Sequence, residues 1–217
     1  MKAFIFDLDG VLVFTDKFHY LAWKEMADQM GIYFDETINN RLRGVSRRES
    51  LEIILENYTG TSLSDEQKEK LMEDKNSRYR KLLENMTAND VSEEVRETLK
   101  ELRKRGYRLA IGSSSKNTKF ILERTELSSM FDAVSDGTNI SRSKPDPEVF
   151  LKAATFLKEV PVECYVVEDA SAGIQAAKAA GMQAVGIGEA ANDSRADYSI
   201  QSFSELLALP KNKNLIF

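Results

Sequence analysis

The 217-residue sequence predicts an α/β protein: a parallel sheet between helical layers, with an all-helical segment inserted after the first strand. Three observations predict it. The runs "KAFIFD", "YRLAIGSSS", "CYVVED" and "MQAVGIG" are continuously apolar rather than alternating, as strands buried on both faces are. Helical periodicity fills the gaps between the later runs, which is the rhythm of βαβ units. Between residues 14 and 86 the strand signal disappears and helical runs alone remain. The core is therefore assigned to 1–13 and 87–217, as a three-layer Rossmann-like domain with a parallel sheet, and the helical cap to 14–86.

In chain order, "KAFIFD" is the first strand and ends in Asp7. The insertion follows, with helices expected over "FHYLAWKEMADQM", "RRESLEIILENY" and "SDEQKEKLMEDKNSRYRKLLENM". An insertion at this point is expected over the carboxyl ends of the strands, where open α/β sheets take their ligands. The core resumes with "VSEEVRETLKELRKRG", which sets Val91, Val95, Leu99 and Leu102 on one face and stops at Gly106. After the second strand a helix is expected through "TKFILERTEL", and Pro147 suits the opening of another. "SAGIQAAKAAG" is alanine-rich and ends at Gly181.

Composition narrows the function. Thirty Lys and Arg against 35 Asp and Glu leave a net charge of −5, so no nucleic-acid footprint stands out. The basic cluster "RLRGVSRR" still suits a small anion. The single cysteine, Cys164, excludes an intramolecular disulfide and a cysteine-rich metal site, and its apolar setting reads as a packed thiol. The start of the sequence lacks a signal-peptide layout, and no apolar stretch approaches a membrane span. A cytoplasmic monomer with no membrane partner is expected.

The acids carry the chemistry. Residues two apart in an extended segment point the same way, so Asp7 and Asp9 can both face the ligand crevice. Two close carboxylates need a shared proton or a cation. "VVED" brings a second pair, Glu168 and Asp169, to another strand end. Acids often follow strands as turn formers, but oxygen ligands from two strand ends are what Mg²⁺ takes. "GSSSKN" supplies Ser113, Ser114, Ser115, Lys116 and Asn117 at a helix start, where hydroxyls and backbone N–H groups suit phosphate. "SKPDP" holds Lys144 in an extended pre-proline position, as a phosphate ligand or a solvated loop lysine. "RGVSRRES" offers Arg43, Arg47 and Arg48 around a glycine turn.

"DLDGVL", "GSSS", "SKPDP" and "VVEDASAGI", in that order, resemble the four motifs of the haloacid dehalogenase superfamily of phosphotransferases, and the likeness covers nearly the whole chain. The cap segments "FHYLAWK", "RLRGVSRRESL" and "EDKNSRY" resemble those of members that surround a sugar phosphate. The resemblance implies that Asp7 is the nucleophile, forming an aspartyl-phosphate, and Asp9 the general acid/base. It implies one Mg²⁺ per chain on Asp7, the Asp9 carbonyl and Asp169, with Glu168 nearby. Ser113 and Lys144 are implied to hold the transferring phosphoryl oxygens, with Ser114 and Lys116 beside them. Arg47, Ser115 and Asn117 would hold a second phosphate. Trp23, Arg43, Gly44, Val45, Ser46, Ser50 and Lys75 would line the sugar. His19, otherwise a packing residue, and Thr15 would be hinge contacts that bring Asp9 into place on cap closure.

The implied reaction interconverts β-glucose 1-phosphate and glucose 6-phosphate, with β-glucose 1,6-bisphosphate as activator and intermediate. The alternative is a phosphatase of the same fold, acting on a small sugar phosphate or phosphoglycolate. A dehalogenase is disfavoured, because carbon–halogen displacement needs neither the acid/base nor the metal pair. An idle sugar-phosphate sensor would have no need of a nucleophile paired with an acid/base.

Overall fold

The structure, a computed structural model, describes residues 1–42 and 45–210; Arg43, Gly44 and the last seven residues lie outside them. Its organising strand is β1 (Ala3–Phe6), whose residues are all buried. Alternation divides them. Ala3 and Ile5 join one apolar cluster, whereas Phe4 and Phe6 stack with each other and reach Tyr107, Tyr165, Phe131 and Phe203. Burial of both faces is why the run reads as continuously apolar.

Among the described residues the other strands are β2 (Arg108–Gly112), β3 (Ala133–Ser135), β4 (Cys164–Glu168), β5 (Gln183–Gly186) and β6 (Tyr198–Ser199). All pairings are parallel, and the order is β3-β2-β1-β4-β5-β6. This is the doubly wound order, in which the strand ends beside β1 form a ligand crevice. The three-layer α/β reading therefore holds. The sequence reading missed β3 and β6. Both are edge strands of three and two residues, paired on one side, so neither needs the long apolar run that marks a central strand.

Helices α5 (Glu93–Lys104), α6 (Thr118–Arg124), α7 (Glu148–Leu157) and α8 (Ser171–Ala179) connect the strands. Val149, Phe150, Ala153 and Ala154 of α7 and Ile174, Ala176 and Ala177 of α8 pack against Ile5, Ala110 and Val166. The right-handed rule for parallel crossovers, applied to this strand order, assigns α5 and α6 to the opposite face.

The chain divides into two compact units, one formed by Met1–Phe14 with the chain from Thr87 onward and the other by Thr15–Met86. The second unit contains α1 (Asp16–Gln29), α2 (Glu36–Asn40), α3 (Arg47–Leu55) and α4 (Asp65–Leu83). Capping boxes start α3 at Ser46 with Glu49 and α4 at Ser64 with Gln67, each satisfying backbone N–H groups that the first turn leaves open. α2, five polar-leaning residues capped by Asp35, carries no apolar periodicity and was not expected. Trp23, Met26, Ala27, Leu51, Ile54 and Met72 form this unit's own core. Among the described residues no helix is long and apolar enough to cross a membrane.

Candidate active site

Asp7 and Glu168 are cross-strand neighbours. β1 and β4 pair with Phe6 opposite Val167, and the Asp7 N–H donates to the Val167 carbonyl at 3.0 Å, which carries the register one residue further. Alternation puts both acids on the face of Ala3, Ile5, Cys164 and Val166. Like charges directly opposite each other destabilise a sheet. Lys144 meets that repulsion: its ammonium donates to Asp7 Oδ1 at 2.5 Å and to Glu168 Oε1. All three side chains are buried. Burial alone would lower the lysine's pKa, but the carboxylates of Asp7 and Glu168 outweigh it and hold the ammonium charged.

Lys144 stands in a turn and is joined to Pro145 by a cis peptide. Glu168 is held a second time, by the Ala170 N–H on Oε2 at 3.1 Å. Its pKa is raised, mainly by burial, with Lys144 acting against the shift and Asp7 adding to it.

Asp169 follows on the β4–α8 turn. Its carboxylate lies over Gly10, where an added Cβ would stand 1.9 Å from Oδ2. Gly10 also has φ +84°, a conformation that L side chains rarely adopt. Burial, and then the charges of Asp7 and Glu168, push Asp169 up to about 8. Among the described residues, Asp7, Glu168 and Asp169 each offer an oxygen within 4.8 Å of the others. A hard cation with oxygen ligands suits this donor set, and it would favour the charged forms that burial penalises. The Asp9 carboxylate is not part of that cluster, though its charge reaches Asp169. Asp9 lies past the end of β1, in a bridge to Val13.

The serine loop follows β2, the other neighbour of β1. Ser113 is buried, and its N–H extends the ladder to the Ser135 carbonyl at 3.1 Å. Two N–H groups expected to meet an anion are engaged locally. Ser115 N donates to Ser113 Oγ, and Asn117 N donates to Ser115 Oγ, each at 3.2 Å. Ser114 Oγ is buried without a hydrogen-bond partner, Lys116 is exposed and Asn117 buried.

Within the helical unit, α1 and α4 bring Thr15, His19, Trp23 and Lys75 together. The buried Lys75 ammonium lies 4.6 Å from the Trp23 ring and 4.8 Å from the Tyr79 ring. It also lies 2.9 Å from His19 Nδ1. Burial, then the charges of Lys75 and Arg47, hold the His19 pKa well below its usual value, so the ring is neutral and Nδ1 accepts from the ammonium. Tyr79, which the sequence reading passed over, stacks on His19 at 4.0 Å and donates from its hydroxyl to Thr15 Oγ1 at 3.0 Å. Its signal was the spacing, since Lys75 and Tyr79 are four apart on one helical face.

The basic cluster splits. Arg47 Nη2 donates to Asn76 Oδ1 at 2.9 Å, while Arg48 turns to Glu52, Asp65 and Glu69. The Ser46 hydroxyl caps α3, Ser50 is buried on the same helix, and Val45 is half-buried. Arg43 and Gly44 are outside the described residues.

Carboxylates at two adjoining strand ends, a lysine between them and a serine loop on the third strand gather acids, an ammonium and hydroxyls at one end of the α/β sheet. The chain belongs to the haloacid dehalogenase-like hydrolase family, whose profile matches residues 4–187. It is 41% identical to the β-phosphoglucomutase of Bacillus subtilis, over 95% of this chain and 92% of that protein. It is 31% identical to a phosphorylated carbohydrates phosphatase of Thermotoga maritima, over 90% and 89%. The crystal structure of β-phosphoglucomutase from Clostridium difficile superposes with a TM-score of 0.88 at 38% identity, covering 95% of this chain and 93% of that one.

Proposed function

We propose that the protein is a Mg²⁺-dependent mutase that interconverts β-glucose 1-phosphate and glucose 6-phosphate through β-glucose 1,6-bisphosphate. The observation that carries the reading is the buried Asp7–Lys144–Glu168 bridge with Asp169 beside it. The 41% identity to a β-phosphoglucomutase supports the sugar assignment.

In this reading an Asp7 oxygen attacks phosphorus. The new O–P bond forms as the bond from phosphorus to the sugar oxygen breaks, and Asp9 gives its proton to that oxygen. In the return step Asp9 takes the proton of the 6-hydroxyl of a β-glucose 1-phosphate, which attacks the aspartyl-phosphate, re-forms the 1,6-bisphosphate and frees Asp7. Lys144 and Ser113 hold the phosphoryl oxygens, where charge develops. Asp7, Asp169 and the Asp9 carbonyl would hold Mg²⁺, which would supply neutralisation of phosphoryl charge. Arg47, Ser115 and Asn117 take the second phosphate, and the Trp23–Lys75–His19 cluster faces the sugar. A guanidinium suits that second phosphate because its planar fork meets two oxygens together.

The test gives purified protein Mg²⁺, β-glucose 1-phosphate and a trace of the 1,6-bisphosphate, and follows glucose 6-phosphate and free phosphate together. Accumulating glucose 6-phosphate supports the mutase. Free phosphate in its place makes the protein a phosphatase, a reading favoured by the 31% identity to a carbohydrate-phosphate phosphatase.

A further inference from the structure

Glu168 reaches Lys144 by folding back over its own turn. Its side chain leaves β4, accepts from the Ala170 N–H, and lies across the first turn of α8, where the helix end favours an anion. The space it fills belongs to Gly173. A Cβ at that position would stand 1.9 Å from both the Cδ and Oε1 of Glu168 and 2.5 Å from Oε2. Oε1 is the atom that receives Lys144. Real Cβ atoms essentially never approach within 3.0 Å, so any side chain here makes the carboxylate withdraw by about 1 Å. Unlike Gly10, Gly173 has no left-handed φ to explain it. Alanine is the better helix former by about 1 kcal/mol, so the local backbone would favour the methyl.

We infer that Gly173 is a positioning residue: its missing side chain is the seat that holds Glu168 against Lys144, and through Lys144 it sets the ammonium that faces Asp7. The inference rests on the proposed phosphoryl transfer for its consequence in turnover, but the seat itself is a matter of packing. A displacement of about 1 Å in a reacting constellation lowers rates by up to about 100-fold. Loss of a supporting contact around a metal typically weakens the metal by about 10- to 100-fold.

The experiment is a double-mutant cycle between Gly173→Ala and Glu168→Asp. It has two readouts: hydrolysis of p-nitrophenyl phosphate, and the rise of the thermal unfolding midpoint with added Mg²⁺. Asp at 168 is one methylene shorter and lacks the atoms that the methyl strikes. Gly173→Ala alone is expected to raise the Mg²⁺ half-saturation about tenfold and to slow hydrolysis by 10- to 100-fold. Added to Glu168→Asp, it is expected to cost no further loss. A wild-type Mg²⁺ response and rate in Gly173→Ala overturns the inference. So does an equal loss in the Glu168→Asp background, which would assign the effect to helix packing. If the wild type moves no phosphoryl group from any sugar or aryl phosphate, the proposed reaction fails, and the unfolding cycle still decides the seat.

Discussion

Replacing Lys144 by alanine leaves Asp7 and Glu168 side by side in a buried ladder without their shared cation. Neighbouring strands are about 4.8 Å apart, so two full charges there repel by about 3.5 kcal/mol at an effective dielectric of about 20. The escape is for Glu168 to bind a proton. Glu168 already stands at about 7 in the wild type, so that escape costs little at pH 7 and about 1.4 kcal/mol more for each pH unit above it. The repulsion lies within the roughly 3–5 kcal/mol typical of breaking one side of a buried ion pair. For a chain of this length that lowers the unfolding midpoint by about 10 °C. A carboxyl raised in the folded state binds more protons there than in the unfolded state. The difference between variant and wild type therefore opens as pH rises through about 7, where the wild type sheds the Glu168 proton and the variant still holds it. Thermal unfolding of wild type and Lys144→Ala in EDTA, from pH 6 to 8.5, measures it. A deficit below about 1 kcal/mol at pH 8.5, or one that shrinks as pH rises above 7, would refute the bridging role.

Asp9→Asn should lower transfer to a sugar hydroxyl by about 10²- to 10⁴-fold while keeping the Mg²⁺-induced rise in unfolding midpoint, because its carboxylate is outside the acid cluster; wild-type mutase turnover would end the acid/base assignment. Asp169, raised to about 8 from a usual 3.8, holds a proton in the metal-free protein across that window. Metal-free stability thus falls as pH rises through it, and Mg²⁺, which must displace the proton, binds up to about tenfold tighter per pH unit until about 8. A pH-independent Mg²⁺ titration would contradict this. Lys158 closes α7 in the left-handed region at φ 58°. Lys158→Gly should stabilise the protein by about 1 kcal/mol, raising the unfolding midpoint by about 3 °C; an unchanged or lower midpoint would contradict it.

What the sequence made legible follows from burial. β1, β2, β4 and β5 are buried on both faces, and burial is written as apolar runs. β3 and β6 have one neighbour each and leave no such record. The acids were visible as strand-end residues, and Lys144 as part of "SKPDP". That Glu168 turns to Lys144 was not visible, because it depends on the register that sets Asp7 against Glu168. Nor was the engagement of the loop N–H groups by Ser113 and Ser115, since hydroxyl direction is not encoded in the order of residues. His19, Trp23 and Lys75 were read separately, and Tyr79, the ring that joins two of them, was missed for want of a charge to draw notice.

The place of β1 between β2 and β4 also bears on the birth of the protein. Ala3 pairs with Arg108 and with Cys164, so the strand's two partners lie about 100 and 160 residues downstream. At a synthesis rate of about 5–20 residues per second, "AFIF" leaves the ribosome roughly ten to thirty seconds before β4 exists. Until β2 emerges neither of its backbone edges has a native mate, and from then until β4 emerges one edge still has none, whereas Thr15–Met86 can complete its own core soon after emerging. The central strand of the sheet is thus a segment that a nascent-chain chaperone would find waiting for its partners.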